Sequence, residues 1–279
     1  MVRNLMKAGF ELHIYARTKS KVEDVISEGA QFHESIKDCV QDCDAVITIV
    51  GFPQDVEEVY FDEGNILDSA KKGAYLIDMT TTSPQIAEKI YEEGTKRGFH
   101  VMDAPVTGGD TGAKAGTLSI LVGGEKEDYE ACMPLFEAMG TNINYQGKAG
   151  CGQHCKLANQ IMIAGTLSGV CEALTYAKEQ GLDPEVFMKS VATGAAGSKQ
   201  LDTFGPKILK DDYAPGFFMK HFIKDMKLAL IEANRKGLSL DVLSMVLANY
   251  EELEQEGYGD LGTQALMKFY DEEHRNTEE

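Results

Sequence analysis

The chain has 279 residues, 43% of them hydrophobic, a length that suits two domains better than one. Its 27 lysines and arginines against 45 aspartates and glutamates leave a formal net charge of -18, which repels a phosphate backbone and excludes nucleic acid as the expected partner. No run reaches the roughly 20 consecutive apolar residues that cross a bilayer, and Met-Val-Arg-Asn at the start is no secretion signal, so a soluble, cytoplasmic protein with no membrane partner is expected.

In chain order, residues 1–9 read as the last turns of a helix, with Val2, Leu5 and Met6 on one face and Gly9 as its stop. A strand over 12–15 follows, and Thr18 is placed to cap a helix that ends near Gly29. Residues 45–50 are apolar nearly throughout, as in a strand covered on both faces. Further strands are expected over 75–79, 100–103, 118–122 and, more weakly, 143–145, with a helix from Ser83-Pro84 to a stop at Gly98. Alternating strands and helices predict parallel strands joined by crossover helices, an α/β doubly wound Rossmann-like sheet over 1–148.

From Gly150 the texture turns helical, and residues 149–279 are expected to form an all-helical domain for substrate binding and dimerisation. A long helix over 151–178 is followed by helices over 184–191, 198–209, 222–236, 239–255 and 262–270, then a charged tail from Asp271. Six cysteines in so long a chain do not make a secreted disulfide framework, and thiols are expected. The pairs Cys39 and Cys43, and Cys151 and Cys155 with His154 beside them, lack the matching second pair of a zinc site, so no metal is expected.

Two loops carry groups that chemistry could use. Asp103-Ala-Pro-Val-Thr-Gly-Gly109 follows a strand, at the carboxyl end where open α/β sheets bind ligands. The Gly108 and Gly109 amides with the Thr107 hydroxyl could take a carboxylate, although on spacing alone a turn that merely needs glycine is the favoured reading. Gly147-Lys-Ala-Gly-Cys-Gly152 leads into the long helix, with Lys156 near its N-terminus and Asn159 and Gln160 on the same face. A helix N-terminus disfavours a cation, which suits a lysine that exchanges a proton near neutral pH. On its own Lys156 also reads as one surface lysine among many.

Taken together, Asp103-Ala-Pro-Val-Thr-Gly-Gly109, then Gly147-Lys-Ala-Gly-Cys-Gly-Gln-His-Cys-Lys-Leu-Ala-Asn159, then Pro-Gly-Phe217 with Lys224-Asp-Met226 resemble the β-hydroxyacid dehydrogenase family, which includes 3-hydroxyisobutyrate dehydrogenase and tartronate semialdehyde reductase. The resemblance spans nearly the whole chain in the family's order. It implies hydride transfer between a nicotinamide coenzyme and a small β-hydroxy acid or its semialdehyde. Lys156 would be the acid/base, Asn159 its support, and Thr107, Gly108 and Gly109 the carboxylate site. Val50, Gly51, Thr81 and Lys224 would line the coenzyme, and the assembly would be a homodimer or homotetramer. The family usually has serine at the Thr107 position. Many members place the asparagine four residues after the lysine, where this chain has Gln160, so Asn159 and Gln160 both stand as candidates.

After the strand at 12–15 the chain has Arg17 and Thr18 rather than the acidic residue that binds a ribose 2′-hydroxyl, which favours NADP over NAD. Members of the family open with a strand and a glycine-rich turn, and no Gly-x-Gly-x-x-Gly here stands between a strand and a helix. The resemblance therefore implies that about 15 to 20 residues of the usual dinucleotide unit are wanting, and weak coenzyme binding by this chain is expected. Two other readings compete. One is a 6-phosphogluconate dehydrogenase relative, whose His-Asn is replaced here by Ala158-Asn159; the other is a non-catalytic binding or scaffold protein on a degenerate dehydrogenase fold.

Overall fold

In a computed structural model that describes residues 1–270, the chain divides into two compact units, Met1–Lys156 and the segment from Leu157 on. The division falls inside the long helix rather than ahead of it, because the first turns of that helix are bonded to the sheet of the first unit.

In the first unit β1 (His13–Ile14) and β2 (Gln31–Phe32) pair in parallel as a sheet of their own. A six-stranded sheet holds β3 (Ala45–Thr48), β4 (Tyr75–Asp78), β5 (His100–Asp103), β6 (Val106–Thr107), β7 (Leu118–Gly124) and β8 (Gly140–Gly147). Its order is β3-β4-β5-β7-β6, with β8 also on β7. β3, β4 and β5 run parallel, as predicted, but β7 runs antiparallel to both β5 and β6. The expectation of parallel strands fails there because the chain runs on from β5 into β6 in the same direction, turns over 108–117 and returns as β7 alongside both, instead of crossing back over the sheet.

Helices α1 (Val2–Lys7), α2 (Glu23–Ser27), α3 (Ile36–Val40), α4 (Pro53–Phe61), α5 (Ile66–Ser69), α6 (Pro84–Lys96), α7 (Gly109–Ala115), α8 (Lys126–Ala131) and α9 (Met133–Met139) connect these strands. Ser83 caps α6 by accepting from Gln85 N, and Gly98 follows it at φ 87°, both as the sequence predicts. Thr18 makes no capping hydrogen bond: a 3-10 turn over Lys19–Lys21 intervenes and α2 begins only at Glu23.

Strand alternation sorts the core onto the two faces of the sheet. Leu76 and Val101 pack with Val56, Tyr60 and Ile90 on one face, while Ile77 and Met102 pack with Ile120, Phe136 and Met139 on the other. β4 and β5 are thus covered on both sides. β3 departs from that expectation: it pairs with β4 on one edge, its Val46 and Thr48 are buried, and Ile49 just beyond it is 53% exposed.

The second unit is built on α10 (Cys151–Glu179), α11 (Pro184–Val191), α12 (Lys199–Ile208), α13 (Met219–Arg235) and α14 (Asp241–Gln255). By length and composition alone α10 is apolar enough to cross a bilayer, and its Ala164, Leu167, Cys171 and Leu174 lie in the core with Phe222, Met226, Val246 and Tyr250. The predicted final helix is a 3-10 segment, Thr263–Tyr270. Its first residues are held by other loops: Gln264 Nε2 donates to Asp212 O and Ala214 O, and Thr263 N donates to Phe217 O. The tail predicted from Asp271 lies outside the described residues.

Candidate active site

β3, β4 and β5 end in register at their carboxyl ends, with Thr48 beside Asp78 and Asp78 beside Asp103. All three side chains are buried. Asp78 Oδ1 accepts from Thr48 Oγ1 at 2.8 Å and from Thr80 N at 3.1 Å, and the Tyr60 hydroxyl lies 3.1 Å from the same threonine oxygen. Burial dominates these bonds and pushes the Asp78 carboxyl up to about 6. Beyond β4, Thr80 Oγ1 accepts from Val50 N at 2.9 Å, so the loops after β3 and β4 are tied together. Those loops carry three of the residues assigned to the coenzyme: Val50, Gly51 and the half-buried Thr81 between buried Thr80 and Thr82.

Asp103 anchors the start of α10. Its Oδ1 accepts from Gly150 N at 2.7 Å and its Oδ2 from Gln153 N at 2.8 Å, a carboxylate on the amides of a helix N-terminus. Burial nevertheless raises its pKa against the pull of those amides. The approach is close: a Cβ on Gly152 would stand 2.7 Å from the Asp103 carbonyl oxygen, and one on Gly123 would stand 2.6 Å from Asp103 Oδ1. Gly152 therefore serves helix-to-sheet packing, while Gly147 and Gly150 hold positive φ at 123° and 86°. Lys156, in the second turn of this anchored helix, is 7% exposed, which removes the reading of it as an ordinary surface lysine.

Thr107 belongs to β6, opposite Ser119 of β7, and is half-buried. Gly108 and Gly109 follow at φ 132° and 64°, both exposed. A Cβ on Gly108 would press on Leu118, whereas the space about Gly109 is open to 4 Å. Gly108 thus answers to packing and backbone conformation, and Gly109 sits where another group has room to approach.

In the second unit Asn159 Nδ2 donates to Gln160 Oε1 at 2.8 Å, and Gln160 Nε2 donates to Asp225 Oδ2 at 2.7 Å. Lys224 Nζ lies 3.0 Å from Asp225 Oδ1. Lys224 and Asp225 thus form a largely buried pair, which Gln160 links to α10. Arg17 and Thr18 are exposed beyond β1. The Arg17 guanidinium already holds Asp55 Oδ1 at 2.7 Å and Glu58 Oε2 at 2.6 Å, two carboxylates of α4 that inspection of the sequence alone did not bring to it. The string Gly257-Tyr-Gly259-Asp-Leu-Gly262 follows helix α14, not a strand, and does not form a dinucleotide turn. Among the described residues no group of three or more His, Cys, Asp or Glu side chains could hold a metal ion.

Residues that reasoning from sequence alone passed over are Asp78 and Gln153, while Asp225 stood there only as the neighbour of Lys224. Gln153 lay inside a quoted motif, and Asp78 is the polar end of an otherwise apolar strand, a signal that goes with ligand-edge positions.

Residues 1–147 match the family described as the NAD binding domain of 6-phosphogluconate dehydrogenase. Residues 150–270 match the family described as NAD-binding of NADP-dependent 3-hydroxyisobutyrate dehydrogenase. The uncharacterized oxidoreductase YkwC of Bacillus subtilis is 48% identical over 270 residues, covering 97% of this chain and 94% of the relative. A probable mitochondrial 3-hydroxyisobutyrate dehydrogenase-like 1 of Arabidopsis thaliana is 44% identical, covering 96% of this chain and 80% of that protein. The structure of 3-hydroxyisobutyrate dehydrogenase from Mycobacterium tuberculosis with L-serine superposes with a TM-score of 0.88 at 25% identity, covering 96% and 93% of the two chains. With its sheet edge, its buried lysine and these matches over both units, the chain belongs to the β-hydroxyacid dehydrogenase family of NAD(P)-dependent oxidoreductases.

Proposed function

We propose that the protein transfers hydride reversibly between NADP(H) and a small β-hydroxy acid or its semialdehyde, with 3-hydroxyisobutyrate and tartronate semialdehyde as the leading substrates. The carrying observation is Lys156: a buried amine on a helix whose start is locked to β5 through Asp103. Several of the residues present suit a dinucleotide, while none of the described residues forms the glycine-rich turn that takes its pyrophosphate. Arg17 and Thr18 follow β1, and Val50, Gly51 and Thr81 follow β3 and β4, on the edge where open α/β sheets bind ligands. When bound, the coenzyme supplies a carbon that accepts or returns a hydride.

The chain's own residues do the rest. In oxidation the Lys156 amine takes the hydroxyl proton as hydride leaves the carbinol carbon, and in reduction its ammonium returns a proton to the developing alkoxide. Asn159 orients the reacting oxygen, and the Gly108 and Gly109 amides with the Thr107 hydroxyl hold the carboxylate, so the carbonyl presents one face. Lys224, steadied by Asp225, borders the coenzyme. Arg17 pairs with the 2′-phosphate, which supports NADP over NAD. Exposed Met162 and Tyr176 on α10 and Val242 and Met245 on α14 support a homodimer or homotetramer, to be read by light scattering.

The test is steady-state kinetics with 3-hydroxyisobutyrate, L-serine and tartronate semialdehyde against both coenzymes. Turnover of at least one with a lower Michaelis constant for the NADP form bears the reading out. Absence of turnover with all three, or a clear preference for the NAD form, overturns the corresponding part.

A further inference from the structure

Gln153 joins the loop after β4 to the helix that carries Lys156. Its side chain is fully buried. Oε1 accepts from Thr82 N at 3.0 Å and Nε2 donates to Thr80 O at 2.7 Å, so one carboxamide takes up a backbone group on either side of Thr81. Its own backbone N donates to Asp103 Oδ2 at 2.8 Å. The loop is gripped from the other side as well, since Thr80 N donates to Asp78 Oδ1 and Thr80 Oγ1 accepts from Val50 N. Lys156 stands three residues after Gln153, on the neighbouring turn and the same side of the helix.

We propose that Gln153 is a positioning residue that sets the Thr80–Thr82 loop and the Lys156 turn in one fixed relation, so that binding at Thr81 and the placement of the amine are coupled. This rests on the roles proposed above for Lys156 and Thr81. A neutral carboxamide suits the task because it offers a donor and an acceptor in fixed geometry to a carbonyl and an amide. A carboxylate would turn a lone pair toward Thr80 O, and an aliphatic chain would leave both backbone groups buried without a partner.

Gln153→Leu and Gln153→Glu test this in the full chain, with NADPH affinity read by fluorescence titration alongside kcat and KM. In Gln153→Leu, kcat falls about 10- to 100-fold, as expected for a displaced reacting group, and NADPH binding weakens, while KM for the hydroxy acid is unchanged. In Gln153→Glu, activity recovers toward acid pH, because the protonated carboxyl again donates to Thr80 O while its carbonyl accepts from Thr82 N. A merely structural role lowers the melting temperature and leaves the kcat-to-KM pattern and the pH profile as in the parent; that outcome overturns the proposal.

Should the variants fail to fold, hydrogen exchange on the unaltered protein decides. NADPH should slow exchange in 150–156 together with 80–82, and protection confined to 80–82 overturns the coupling. If the parent turns over no β-hydroxy acid, the proposed reaction fails while NADPH affinity and hydrogen exchange still judge Gln153.

Discussion

Gln160 Nε2 donates to Asp225 Oδ2 at 2.7 Å, between two buried side chains. That bond assigns the two carboxamides after Lys156 different tasks. Gln160 is committed to the interior of the helical unit, and half-buried Asn159, which donates to it, is the one that solvent reaches. Asn159→Ala should lower kcat about 10- to 100-fold with an unchanged melting temperature, in line with loss of an orienting hydrogen bond. Gln160→Leu should strip a donor from a buried carboxylate and destabilise the fold by about 1 to 3 kcal/mol. Thermal denaturation and kinetics on the two variants check the division, and the opposite pattern would reassign the substrate contact to Gln160.

Lys156→Ala should reduce turnover by about two to four orders of magnitude while NADPH titrates as in the parent. Lys156→Arg is the sharper variant: it keeps the cation but does not release a proton in a protein, so it should be as slow as the alanine form. Turnover near the parent's in the arginine variant would mean that charge, not proton exchange, is what the position supplies.

The parts of this molecule that sequence reveals are those written in local pattern. The runs of apolar residues at β4 and β5, the Ser83-Pro84 start of α6 and the helix over Pro184–Val191 each carry their own signal in spacing and capping, and each stands where expected. What escaped depends on long-range pairing. β7 is reversed by the turn over 108–117 and returns against both β5 and the two-residue β6, which has no periodicity to read. The Gly147–Gly152 string reads in sequence as a glycine-rich approach to the long helix, yet its Gly152 is dictated by Leu121 and Asp103, far away in sequence. The motif residues Thr107, Lys156 and Asn159 were legible as types at a spacing. Their burial and partners, which decide what chemistry they support, exist only once the chain has folded.

Arg17 bears on coenzyme choice through its competitors. With Asp55 and Glu58 both on its guanidinium, a 2′-phosphate must draw the cation away from two carboxylates. Asp55 also accepts from Phe52 N at the start of α4, so Glu58 is the cleaner position to change. Glu58→Gln should lower the Michaelis constant for NADPH several-fold, the gain expected when an exposed ion pair worth up to about 1 kcal/mol no longer competes, and leave that for NADH unchanged. Equal shifts for both coenzymes would show that Arg17 does not meet the 2′ position.

Asp78 makes stability depend on pH in a direction opposite to that of a salt-bridged carboxylate. Its folded pKa of about 6 lies above the ordinary 3.8, so the native state holds this proton more tightly than the unfolded chain. The stabilising contribution is complete below the ordinary value and is lost as pH rises through about 6, with an upper bound of about 3 kcal/mol from the two values. Asp78→Asn keeps an oxygen to accept from Thr48 Oγ1 and Thr80 N but has nothing to titrate. Chemical denaturation of parent and variant across the acid-to-neutral range isolates the effect from other titrating groups: the parent should lose more stability than the variant as pH rises. Parallel curves would mean that Asp78 is charged throughout, its burial relieved by water reaching the carboxylate from the ligand edge.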